Sequence, residues 1–554
     1  MNFSKMPYER ADIDSAIQNL KELTEQISSA RTGEEAFAVH QKMYELSDRV
    51  ETQVVLAHIR HDIDMTDPFY EQEQAYYDMH LPGLFHARAQ YRAAVLSSRF
   101  RPFLEEKIGK TAFTNMELQK KSVDEAILPL MQEENRLQTR YAKLLATAKI
   151  DWRGEQLNLS LMTPYTHSTD RDVRKEAWEK YSRFFTDHAE ELDEIYDLLV
   201  RNRTQQAEKL GHKNYLTLGY YRMKRNCYGR KDIQGFRKQV KEDLVPFAQQ
   251  LHEARRTRLG VDRLQYFDEG IAFAGGNPAP FGTPEQILEA GREMYRALSP
   301  ETGEFMDFMC DHKLFDVLGK KTKRTGGYMT YLPDWKSPFI FANFNGTSGD
   351  VNVITHECGH AFQGYIAGQD PIREHADISM ETAETHSMSM EFFTGPWMEL
   401  FFGDKASDYR MMHFEDSVIF VPYGTMVDEF QDIVYDNPSL SPKDRNKVWR
   451  DLERQYKPHL DYSGNEYYEH GGCWQMQHHI YDHPLYYIDY CIAMIDALQY
   501  KVWMDKDFEG AWKSYLKLCS LSATDYFTDL LPKVGLRVPF EDGCISSVIK
   551  SLKV

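Results

Sequence analysis

Long apolar runs are missing from this chain. Across 554 residues no stretch of about 18 uncharged apolar residues occurs, so no membrane-spanning helix is expected. Cysteine is scarce as well. Cys227, Cys310, Cys358, Cys473, Cys491, Cys519 and Cys544 are odd in number and form no CxxC pair. That excludes a disulfide framework and a cysteine-built zinc site, and it points to a reducing, cytoplasmic setting. Basic residues are outnumbered: 66 Lys and Arg against 85 Asp and Glu leave a formal net charge of −19, which argues against a nucleic-acid surface. The opening stretch MNFSKMPYERADIDSAIQNL lacks the apolar segment of a signal peptide, and its acidic residues do not suit a transit peptide. Internal repeats and low-complexity tracts are absent, and strand-like runs are few.

What is present is mostly helical pattern. Residues 11–55 and 112–148 place apolar positions three and four apart among Glu, Lys and Gln, and a similar run from Val173 stops at Gly211. The Gly- and Pro-rich stretch AGGNPAPFGTPEQILEA is a loop, after which Thr283 and Pro284 read as an N-cap and first helical residue. Tyr328–Tyr331 and Phe339–Phe344 are aromatic runs separated by a Pro-containing turn, the pattern of a hairpin or two edge strands. The expectation is a mainly α protein with a small β-sheet, divided into an N-terminal helical lobe (1–165) and a catalytic region (166–554).

The chemistry concentrates in VITHECGHAFQGY. On a helix His356 and His360 lie on one face and can both reach a single zinc ion, while Glu357 can reach a water on that ion and take its proton as a carbonyl is attacked. With 20 His in the chain, independent placement gives about 0.06 such HExxH patterns, so the context has to decide. Asp350 reads as the cap of this helix. A catalytic zinc needs a third protein ligand. The metzincin pattern fails, because Gln363 and Ile366 stand where its glycine and third histidine belong. A carboxylate on the next helix is the other solution, and DISMETAETHSMSMEFF offers Glu381, Glu384 and Glu391 on one stripe. Periodicity leaves all three open. A di-iron bundle is excluded, since Glu357 with His360 is the one Glu-x-x-His pair found.

With HECGH followed by ETAETHSMSMEFF, the sequence resembles the thimet oligopeptidase and oligoendopeptidase F family of zinc metallopeptidases, the oligoendopeptidase F branch most. The likeness runs from PYER through TSGDVNVITHECGHAFQ to PLYYIDYCIA. The family's E-x-x-S-M-x-x-E pattern is matched by Glu384, Ser387, Met388 and Glu391, so the resemblance implies Glu384 as third ligand, with Glu391 and Glu381 behind the ligands. It also implies an elongated, two-lobed helical body with a deep channel that admits oligopeptides.

Attack on a peptide carbonyl leaves an oxyanion that needs hydrogen-bond donors. EHGGCWQMQHHIYDHPLYYIDYCIAMIDA is dense in them, with His478, His479, His483, Tyr486, Tyr487 and Tyr490. The family's histidine and two tyrosines match His479, Tyr487 and Tyr490 best, with Tyr486 as a rival. With 33 tyrosines in the chain, an aromatic helix can also be plain core. SPFIFANFNG could be an edge strand that pairs with extended substrate, and Gly471–Gly472 a hinge. The function so implied is zinc-dependent endopeptidase action on short unfolded peptides. A dipeptide-releasing exopeptidase is the alternative, and a non-catalytic peptide-binding scaffold is a third reading.

Overall fold

The computed structural model describes residues 2–552 apart from 321, 325 and 522. Local chemistry sets where its helices begin. The side chains of Asp12, Thr32 and Asp67 accept backbone N–H groups at the starts of α1 (Ile13–Ser29), α2 (Gly33–Ile63) and α3 (Pro68–Ser97). After α4 (Arg101–Ile108) and α5 (Lys110–Ser122), the pattern expected over 112–148 breaks at Asp124, which caps a short 3-10 turn, and resumes as α6 (Leu128–Ala146). Buried Ile13, Leu20 and Ile27 of α1 pack with Leu84, Tyr91 and Val95 of α3 in one apolar core.

The run from Val173 is likewise two helices, α7 (Arg171–Asp187) and α8 (Ala189–Lys209). They part at His188, whose Nδ1 donates to the Phe184 carbonyl at 2.8 Å and so takes an acceptor at the end of α7. Thr283 caps α9 (Pro284–Leu298) with Pro284 in its first turn, as the sequence predicts, and Gln286 completes a capping box.

Strands are few. β1 (Ile150–Trp152) and β2 (Glu155–Leu157) make a small hairpin. β3 (Phe315–Leu318), β4 (Tyr328–Leu332) and β5 (Ser337–Phe344) form a three-stranded sheet in the order β3-β5-β4. β4 and β5 are the expected antiparallel hairpin, turned by Pro333–Trp335. SPFIFANFNG is nevertheless no edge strand: β5 is central, with β3 parallel on one side and β4 antiparallel on the other. Four residues of β3 were enough to occupy the edge assigned to substrate, and the outer edge of this sheet near the hairpin belongs to β4.

Beyond β5 the chain turns at Gly346, with φ 82°, into α10 (Ser348–Ala367), which packs against the sheet. Thr347 is its N-cap residue. Asp350 sits inside the first turn instead, and its carboxylate accepts the N–H groups of Asn345 at 2.9 Å and Gly346 at 2.7 Å. It therefore ties the turn to the helix rather than ending the helix. α11 (Met380–Phe393) follows, and later α12 (His478–Asp482), α13 (Tyr487–Met504) and α14 (Phe508–Leu521).

Contacts divide the chain into two interleaved units. The first comprises Met1–Lys120, Pro278–Ser407 and Asp496–Leu536; the second comprises Lys121–Asn277, Asp408–Ile495 and Arg537–Val554. The first holds β3–β5, α10 and α11, and the second holds β1, β2, α12 and α13 up to Ile495. Neither has a boundary at residue 165. All seven cysteines are free. Among the described residues no helix is long and apolar enough to cross a membrane.

Candidate metal centre

One turn of α10 separates His356 from His360, and their rings stand nearly perpendicular, with centroids 5.0 Å apart. The helix buries Ile354, Cys358, Ala361 and Phe362, which leaves His356, Glu357 and His360 on a half-buried stripe. Gly359 decides what meets that stripe. A Cβ there would lie 2.6 Å from Ser387 Cα and 2.9 Å from the His386 carbonyl oxygen, so only glycine lets α11 come this close. α11 is buried along nearly its whole length, and Tyr515 of α14 donates to the His386 carbonyl at 2.9 Å, fixing it from the far side.

This approach carries Glu384 between the histidines. One Glu384 carboxylate oxygen stands 3.4 Å from His356 Nε2 and 3.5 Å from His360 Nε2. Ligand bonds of about 2.1 Å at tetrahedral angles imply separations of about 3.4 Å, so the donor set fits one zinc-sized ion. Among the described residues His356, His360 and Glu384 form a group able to hold a metal. Ser387 Oγ donates to the same Glu384 oxygen at 3.1 Å. Glu391, two turns further along the same stripe, accepts from His356 Nδ1 at 2.7 Å, which leaves Nε2 as the free donor atom. The two carboxylates anticipated behind the ligands thus part company: Glu391 holds His356, whereas Glu381 raises the pKa of buried Asp496, whose own burial is the larger cause.

The electrostatics favour positive charge here. Burial opposes a charged His356, yet Glu384 and Glu391 hold its pKa well above the ordinary value. Burial also opposes a charged Glu384, yet His360 and His356 hold its carboxyl far below the usual range. Cys358 points away from this face, buried where its thiol meets Tyr295, and burial pushes its pKa well up.

The second unit gathers the aromatic donors. His479 of α12 lies 4.7 Å from Tyr487, 6.0 Å from Tyr486 and 6.3 Å from Tyr490, centroid to centroid. Tyr487 and Tyr490 are 5.7 Å apart on α13, and Tyr486 is 4.9 Å from Tyr490, so the rival tyrosine belongs to the same cluster. His478 and His483 turn to Asp482 instead, at 3.1 and 2.9 Å. Two residues the sequence reading missed orient His479. Tyr423 donates to Gln477 Oε1 at 2.7 Å, so the Gln477 amide donates to His479 Nδ1 at 2.7 Å. His479 then carries its proton on Nε2. Burial, and after it the charge of His478, pushes its pKa down to about 4, which keeps the ring neutral. Neither Tyr423 nor Gln477 has a spacing signal, because the chain of bonds exists only once α12 packs beside residue 423.

Gly471 and Gly472 are no free hinge. A Cβ at Gly471 would stand 2.2 Å from the Asn446 carbonyl oxygen, and one at Gly472 would stand 2.6 Å from the Tyr467 ring. Close packing and a φ of 78° at Gly471 require these glycines.

Residues 3–123 match the family model described as Peptidase M3 N-terminal domain, and residues 304–548 match Peptidase family M3. Among solved structures, a provisionally assigned oligoendopeptidase F is 44% identical over 99% of this chain and 97% of that chain, with a TM-score of 0.93. PZ peptidase A, solved with an inhibitor, is 44% identical over 99% of this chain and 98% of its own, with a TM-score of 0.93. A provisionally assigned oligoendopeptidase F from Bacillus anthracis is 40% identical, covering 99% and 97%, with a TM-score of 0.88. No curated protein matches the chain.

Proposed function

The chain belongs to peptidase family M3, and from that premise we propose that it is a zinc-dependent endopeptidase of short, unfolded oligopeptides. The observation that carries this is the convergence of His356 Nε2, His360 Nε2 and one Glu384 oxygen at ligand spacing, with Glu357 on the same stripe. His356, His360 and Glu384 would hold the ion. When bound, zinc supplies Lewis acidity, which polarises a carbonyl and acidifies water.

Glu357 accepts the proton of the attacking water and later delivers it to the leaving amine. Glu391 keeps His356 in the tautomer that presents Nε2. His479, Tyr487 and Tyr490 donate hydrogen bonds to the oxyanion, a role worth about 100–1,000-fold in kcat for one good donor. His479 is suited to it, because its Nε2–H is set by Gln477 and its ring stays uncharged at neutral pH. Extended peptide pairs with the outer edge of β4 through main-chain bonds, which tolerates varied side chains.

Product masses from a peptide of about a dozen residues test the reading. Internal fragments that vanish with a chelator and return with zinc are expected. Stepwise loss of dipeptides from one end would instead make the enzyme an exopeptidase.

A further inference from the structure

Apart from the metal centre, the first unit contains a cavity of about 510 Å³ bounded by α2, α3, α5, β4 and the segment around residues 373–377. Its size is that of a small-molecule site. One wall is apolar, made by Leu20, Met43, Val55, Ala112 and Met116. The charged groups lining the rest are mostly satisfied by one another. Arg373 donates to Asp48 at 2.9 Å. Glu374 accepts from His40 at 2.9 Å and from Tyr44. Arg88 stands 3.5 Å from Glu51.

Arg92 is the exception. It lines the cavity, half-buried, and among the described residues it makes neither a hydrogen bond nor an ion pair. Burial, and after it the like charge of Arg88 one turn away, pulls its pKa below the ordinary arginine value, and Asp377 offsets only part of this. A guanidinium withdrawn from water without a partner is destabilising, so a fold that keeps one has a use for it.

We propose that this cavity binds an amphipathic ligand bearing one carboxylate, which Arg92 grips with Arg88 in support while the apolar body lies against Met43, Val55 and Met116. The guanidinium fork matches a carboxylate in two parallel hydrogen bonds. A doubly charged phosphate fits worse, because Asp48, Glu51, Glu374 and Asp377 surround a single unpaired cation. The carboxylate can come from the C-terminus of a peptide or from a free acid. The site is separate from the metal cluster, no member of which lines it, and it shares only the strand β4 with the proposed peptide path.

Calorimetric titration of the metal-loaded, full-length protein tests this with N-acetyl-Leu-Phe, its C-terminal amide, and decanoate. At least one acid should bind. If N-acetyl-Leu-Phe binds, it should do so at least tenfold more tightly than its amide. Arg92→Met should weaken each acid that binds at least tenfold and, unliganded, melt no lower than wild type. Binding of the peptide acid alone identifies a peptide end; binding of decanoate alone identifies a free acid. Met43→Trp, which fills the cavity and keeps Arg92, should abolish binding as well, and it decides the matter if Arg92→Met does not fold. Absence of binding by both acids, equal affinity of peptide acid and amide, or unchanged affinity in a folded Arg92→Met protein would overturn the proposal.

Discussion

Glu384 turns one oxygen to two imidazoles, and that geometry sets it apart from its neighbours on the same stripe. Metal content should therefore fall in the order of contact. Glu391→Ala, which frees His356 Nδ1, should weaken metal affinity about 10–100-fold. Glu384→Ala should cost more than that, and Glu381→Ala least. Zinc analysis after dialysis checks the order, and a larger loss at Glu381 or Glu391 would refute Glu384 as ligand. A second residue-scale prediction concerns His479. A histidine whose folded pKa is depressed from 6.5 to about 4 stabilises the fold above pH 6.5, and that contribution is lost as pH falls through this window. Gln477→Glu puts a carboxylate against Nδ1, so the His479 midpoint in an NMR titration should rise. An unmoved midpoint would contradict the Tyr423–Gln477–His479 chain. At this scale the sequence was readable where spacing on one helix is the signal, as for His356, Glu357 and His360. It was silent on Gln477 and Arg92, whose roles come from partners, or their absence, far along the chain.

Between elements, the decisive contact is α10 against α11 at Gly359. Alanine there meets backbone at 2.6 and 2.9 Å, so one helix must shift. Gly364 lies on the same helix but would place its Cβ 3.7 Å or more from Tyr331 and Met329, ordinary contact. Gly359→Ala should lose about 1–3 kcal/mol in urea unfolding and bind metal more weakly, because Glu384 moves with α11. Gly364→Ala should be neutral or gain up to about 1 kcal/mol from helix propensity. Equal effects at the two positions would show that helix approach is not what Gly359 secures. Elements with strong local signals were legible: the helix start at Thr283, the β4–β5 hairpin and the helix of HECGH. β3 was not, since four residues carry no periodicity. Its pairing turned β5 from an edge into the centre of the sheet.

For the whole molecule, periodicity pointed to a mainly helical protein and composition to an acidic one with free cysteines, and the structure agrees. Neither could give the division into units. Each unit is assembled from three separate segments, and contacts between distant segments leave no mark on local composition. His356, His360 and Glu384 lie in the first unit, and His479, Tyr487 and Tyr490 lie in the second. In the proposed reaction Glu357 moves the proton while His356, His360 and Glu384 hold the ion. The most direct test compares wild type with Glu357→Gln on a mixed peptide library, measuring zinc stoichiometry alongside. One zinc per chain is expected in both proteins, with loss of nearly all cleavage in the variant. Near-normal cleavage by Glu357→Gln with its zinc in place would contradict it.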